Sequence, residues 1–103
     1  MSDRLSQLIA LSKEMPDDTF LKYGIALEYV SRNEDTKALL YFQEIHQNQS
    51  KYLANYYQLG KLYERISDFE AATTIYNEGI EVAKNQKDRH TQNELQSALD
   101  ELQ

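Results

Sequence analysis

The chain of 103 residues has no cysteine, one proline and three glycines. Without cysteine there is neither a disulfide framework nor a thiolate metal site, which suits a reducing compartment. So little proline and glycine leaves scant material for hairpin turns or long structured loops, and a mainly helical chain is expected. Long hydrophobic runs are missing too: no segment approaches the roughly 18 to 20 apolar residues that span a bilayer. The opening residues Met1 to Gln7 lack the basic and then apolar stretches of a signal sequence. The expectation is a cytoplasmic protein with no membrane contact. Basic charge is also scarce, with 11 Lys and Arg against 17 Asp and Glu and a net charge of −6. Such a surface repels a phosphate backbone unless its bases cluster, so no nucleic-acid partner is expected.

Catalytic signatures are absent as well. Only His46 and His90 are of a residue type that can serve as a base near neutral pH, and they lie far apart in sequence. There is no glycine-rich phosphate loop, serine elbow or paired set of zinc ligands. His90 and Glu94 are four apart and can face each other, a spacing that suits a capping or surface contact better than a metal pair. Asp100 and Glu101 read as solvating charge, and Glu34 and Asp35 as parts of a turn. The expectation is a non-enzyme with no catalytic residue, cofactor or metal.

What the sequence has is aromatic bulk at regular spacing. Eight tyrosines and three phenylalanines accompany an apolar content of 41%, giving a small single domain large areas to bury. Leu5, Leu8, Ile9, Ser12 and Met15, with Leu11, form an amphipathic stripe over residues 1–15 that Ser2 or Asp3 can cap and Pro16 ends. A second helix, capped by Asp17 or Asp18, carries Phe20, Tyr23, Ala26, Leu27, Tyr29 and Val30, and Asn33 suits a left-handed C-terminal position. A third holds Ala38, Leu39, Tyr41, Phe42 and Ile45 and fades into the polar run His46 to Ser50. Ser50 can cap a fourth, with Leu53, Tyr56, Leu59, Gly60, Leu62, Tyr63 and Ile66. Ser67 to Glu70 matches a capping box for a fifth helix running to about Lys84. Thr91 to Glu94 matches another, for a last helix with Leu95, Ala98, Leu99 and Leu102 on one side.

Helices two and three overlay helices four and five at a constant offset. Ala26 matches Gly60, Tyr29 matches Tyr63, Ala38 matches Ala72 and Phe42 matches Tyr76, each pair 34 residues apart. Small residues let backbones approach, and rings fill the volume beside each approach. Gly79, in mid-helix, is expected at a close contact.

The run Tyr56, Leu59, Gly60, Tyr63, followed by Phe69, Ala72, Tyr76 and Gly79, resembles the tetratricopeptide repeat, a helix-turn-helix unit of 34 residues. Two repeats are expected, at 19–52 and 53–86, between an N-terminal helix and a C-terminal capping helix at 90–102. The first repeat departs from the pattern where Lys22 stands in place of the ring at Tyr56. Neither repeat has the proline often found near the end of the unit. The resemblance implies an all-α right-handed superhelix of antiparallel helical hairpins whose first helices line a concave groove.

The resemblance further implies non-catalytic recognition of a protein partner, a peptide or helix held in that groove. Carried over by repeat position, the groove-facing residues are Phe20, Tyr23, Leu27, Val30 and Ser31, then Ala54, Tyr57, Gln58, Lys61, Glu64 and Arg65. Tyr23, Tyr57, Gln58, Lys61 and Arg65 are the candidate contacts, with the two cations offered to an acidic or carboxylate peptide end. Three simpler readings stand beside this one. Phe20, Tyr23 and Leu27 can be covered by the N-terminal helix. Lys61 and Arg65 can be a solvated charged face. Exposed apolar helix faces can instead pair copies of the chain into a homo-oligomer.

Overall fold

The computed structural model describes residues 3–103 and contains, among them, six α-helices and no strand. These are α1 (Arg4–Glu14), α2 (Thr19–Ser31), α3 (Asp35–Asn48), α4 (Ala54–Arg65), α5 (Phe69–Asn85) and α6 (Arg89–Glu101). They fold as two compact units, one ending at Ser50 and one spanning Lys51–Gln103.

In the first unit α1 packs on α2, and α2 packs on α3. The α2–α3 hairpin closes on Ile25, Ala26, Ala38 and Phe42, all fully buried. Tyr23 meets Phe42 edge to face, with ring centroids 6.2 Å apart. Tyr29 lies against Tyr41 at 5.9 Å, and Lys37 Nζ sits 5.7 Å from the Tyr29 ring. Leu8 of α1 reaches the backbone of α2 at Gly24, where a β-carbon would stand 3.6 Å from Leu8 Cδ1. Two ion pairs hold α1 beside α2: Arg4 with Glu28, and Arg32 with Asp3, each at 2.9 Å. The stripe expected on α1 is narrower in fact, since Leu5 is buried while Leu11 and Met15 are exposed. Phe20 is 71% exposed, so α1 does not cover it.

In the second unit α4, α5 and α6 stack in sequence, α5 packing on both neighbours. Tyr56, Leu59, Leu62, Ala72, Tyr76, Ala83 and Leu95 are buried. Gly60 lies at the α4–α5 contact, directly on the Tyr76 ring. Gly79 lies where three helices meet: a β-carbon there would fall 2.7 Å from Tyr56 Cβ and 2.9 Å from Leu95 Cδ1. The expected close contact at Gly79 is therefore present, and it joins α5 to α6 as well as to α4.

Lys22, the departure from the repeat pattern, is accommodated by charge rather than bulk. Its ammonium donates to Glu44 Oε1 at 2.9 Å, and the methylene stem of a lysine can cover apolar surface while the head stays wet. In the second unit the equivalent positions hold Tyr56 and Glu78.

Three junctions share one construction. The amide of Glu34 donates to Tyr29 O and that of Asn33 to Val30 O. Asp68 and Ser67 repeat this toward Tyr63 O and Glu64 O, and Asp88 and Lys87 toward Ala83 O and Lys84 O. This is the Schellman closure of a helix C-terminus, which needs a left-handed residue. Asn33, Ser67 and Lys87 supply it at φ 61, 65 and 59°. In each case the next residue is already the N-cap of the following helix.

The helix starts correct several sequence expectations. Asp3 and Asp18 do cap, accepting from the Ser6 and Leu21 amides; the alternative cap Ser2 lies outside the described residues. Neither expected capping box forms. Ser67 is the left-handed residue, and Asp68 caps α5 by accepting from the Ala71 amide. Likewise Asp88 caps α6 by accepting from the Thr91 amide, which puts Thr91 inside the helix. Ser50 does not cap α4; Leu53 occupies that position without a side-chain bond. The run after His46 stays helical to Asn48.

Candidate partner-binding cleft

The sequence places Tyr57, Gln58, Lys61, Glu64 and Arg65 on α4, and the buried Leu59, Gly60 and Leu62 turn the opposite side of that helix inward. Tyr57 and Lys61, one turn apart, form one wall of a cleft of about 360 Å³. The other wall is α6, which contributes His90, Asn93, Glu94, Ser97, Ala98 and Glu101. The cleft exists because Leu95, Ala98 and Leu99 anchor α6 on the core. That anchoring leaves its polar residues facing Tyr57 and Lys61.

The Tyr57 ring is half-buried, and Lys61 Nζ lies 5.4 Å from its centroid, within the range of cation–π attraction. The same ammonium is 3.6 Å from Glu64 Oε2 and 3.9 Å from Glu101 Oε2. Glu64 in turn accepts a hydrogen bond from the hydroxyl of fully buried Tyr76. Burial, and then the Glu64 carboxylate, push the Tyr76 hydroxyl well above its ordinary pKa. A chain of contacts thus runs from the core at Tyr76 through Glu64 and Lys61 to the cleft wall at Glu101.

The other sequence-derived candidates stand apart from this cleft. Gln58 is half-buried and Arg65 is exposed on α4, and neither lines it. Tyr23 belongs to the first unit, where its half-buried ring packs on Phe42. The contribution of α6 was missed because its sequence reads as a cap. The polar residues at three- and four-residue steps, His90, Asn93, Glu94, Ser97 and Glu101, were the available signal. A second, smaller cavity in the first unit is lined by Asp17, Thr19, Lys22, Glu44, Ile45, Asn48 and Gln49. Among the described residues no group of three His, Asp or Glu side chains is placed to hold a metal ion. No helix among them is long and apolar enough to cross a membrane.

Hairpins repeated at 34 residues, with a ring against a small residue in each, define a helical repeat module. No protein-family model and no curated protein matches the sequence. Solved structures do. The solution structure of a tetratricopeptide repeat domain protein from Salinibacter ruber matches at 35% identity with a TM-score of 0.82, covering 85% of this chain and 89% of that one. A crystal structure of a tetratricopeptide repeat domain protein from Salinibacter ruber matches at 35% identity and a TM-score of 0.80, covering 84% and 96%. The solution structure of a Bordetella parapertussis protein shares the fold at 22% identity, with a TM-score of 0.85 and coverage of 99% and 89%. The chain belongs to the tetratricopeptide repeat family.

Proposed function

We propose that the chain is a recognition module that holds a peptide or helix of a partner protein in the cleft formed by α4 and α6. The observation that carries this reading is the Tyr57 ring, which stands at the rim of a cleft instead of being absorbed into the core. An aromatic face beside hydrogen-bonding groups is the usual anchor of a protein contact. Ser97 and Asn93 offer such groups from α6. Gln58 and Arg65 extend the contact along α4. Tyr23, at the corresponding place of α2, is a separate contact residue within the first unit.

A variant combining Tyr57→Ala with Ser97→Tyr removes the anchor and fills the cleft. It leaves the buried positions untouched, so its helicity by circular dichroism should equal that of the wild type. Partners captured from native lysate by the wild type should be lost. Unchanged capture would exclude the cleft.

One observation favours a second reading, self-association. Phe20, 71% exposed, Met15, 51%, and Leu11, 45%, flank the α1–α2 turn in the first unit and form apolar surface of the kind that pairs copies of a chain. Light scattering after gel filtration decides it. A monomer at high micromolar concentration removes this reading.

A further inference from the structure

We infer that the α4–α6 cleft takes a cationic segment: an extended peptide that presents lysine or arginine side chains to Glu94 and Glu101, with an aliphatic stem on the Tyr57 ring. The inference rests on the cleft being the binding site and adds the chemical class of its occupant. It reverses the acidic peptide end expected when Lys61 was considered without α6.

The charges facing the cleft decide the sign. Lys61 is its one lysine, and α6 sets two glutamates, Glu94 and Glu101, against it. Glu64 and Glu101 both approach the Lys61 ammonium. An incoming carboxylate would therefore compete with two resident ones and meet a third in Glu94. Among the described residues Glu94 makes no ion pair, and its side chain is exposed. Glu101 holds Lys61 loosely, with its own side chain 72% exposed, so it too can turn to another cation.

Lys61 itself displays the mode of recognition. Its ammonium lies over the Tyr57 ring and within 4 Å of two carboxylates, an arrangement that a partner lysine or arginine can copy with Tyr57, Glu94 and Glu101. The net charge of −6 adds a field that draws cationic segments and repels anionic ones.

Two ten-residue probes test this, one alternating lysine with alanine and one alternating glutamate with alanine, titrated into the full chain labelled with nitrogen-15. The lysine probe should shift the amides of Tyr57, Lys61, Glu94 and Ser97. Glu94→Gln with Glu101→Gln should weaken it about five- to tenfold, the worth of two partly exposed charge pairs. Lys61→Gln should instead tighten it about threefold, since one like charge is removed. Both variants alter exposed or half-exposed side chains, and circular dichroism verifies their helicity.

If the glutamate probe shifts the cleft and the lysine probe does not, the charge assignment falls while the cleft survives as a site. If neither probe shifts the cleft, both fall. Shifts scattered over carboxylates across the chain, unchanged in the double variant, would mean non-specific attraction and would also overturn the assignment.

Discussion

Gly60 presents its bare backbone to the ring of Tyr76: a β-carbon at 60 would lie 2.7 Å from Tyr76 Cδ1 and Cζ and nearer still to Cε1. The ring has nowhere to go, being fully buried with its hydroxyl held by Glu64. Gly60→Ala gains about 0.5–1 kcal/mol of helix propensity but overpacks the contact at about 1–3 kcal/mol. The net expectation is a loss of about 0.5–2 kcal/mol. At Gly24 the nearest atom to a β-carbon is Leu8 Cδ1 at 3.6 Å, an ordinary contact, so Gly24→Ala should stabilise by about 0.5–1 kcal/mol. Urea midpoints of the two variants should move in opposite directions.

The three Schellman junctions set up a second comparison. Glu34, Asp68 and Asp88 are N-caps with nearly the same backbone, at φ/ψ of −95/70, −96/76 and −94/85°. The two aspartates accept from the amide three residues on, while Glu34 makes no such bond. Its longer side chain pairs instead with Lys37 at 3.4 Å on the surface. Glu34→Asp supplies the missing cap, worth about 1 kcal/mol, against an exposed pair worth about 0.5 kcal/mol or less. A rise in the urea midpoint is expected, and Asp68→Glu should lower it.

Ser67 and Lys87 adopt positive φ without being glycine. Left-handed backbone costs such residues about 1–2 kcal/mol, whereas glycine adds about 0.4–1 kcal/mol of unfolded-chain entropy. Ser67→Gly and Lys87→Gly should each stabilise by about 0.5–1 kcal/mol. Asn33→Gly should do less, since asparagine tolerates this region. Thermal melts of the three variants check the order.

The Asp3 carboxyl is held down to about 2, first by the Ser6 amide and then by Arg32. Its depressed folded value means that the charged form is favoured in the folded state. The stabilisation is present above the unfolded carboxylate value, near pH 4, and is lost as pH falls from there toward 2. Asp3→Asn keeps a capping side chain but removes the charge. Acid unfolding of this variant should therefore depend less on pH between about 4 and 2, as read by circular dichroism.

The repeat was legible because core positions admit few residue types. Ala38 with Ala72, and Phe42 with Tyr76, are buried in both hairpins, and size alone revealed their common period. The helix starts were harder. Ser67 and Thr91 match capping boxes by residue type, but a Schellman turn at Ser67 and Lys87 moves the cap to Asp68 and Asp88. Lys22 reads as a bare departure from the pattern because its partner, Glu44, is 22 residues away on the next helix. The cleft was half visible: Tyr57 and Lys61 follow from the phase of α4. Its other wall depends on how α6 rests on Gly79, through Leu95, a contact that residue spacing does not encode.

At Glu34, Asp68 and Asp88 a single residue finishes one helix and begins the next, so these joints contain no slack. One inserted residue there would advance the following helix by about 100° around its axis and carry its apolar stripe away from its neighbour. The stretch from Gln49 to Leu53, with no side-chain cap at α4, has spare length to absorb such a change. Lineages descended from this fold should therefore vary in length before α4 and keep strict count at the three tight joints.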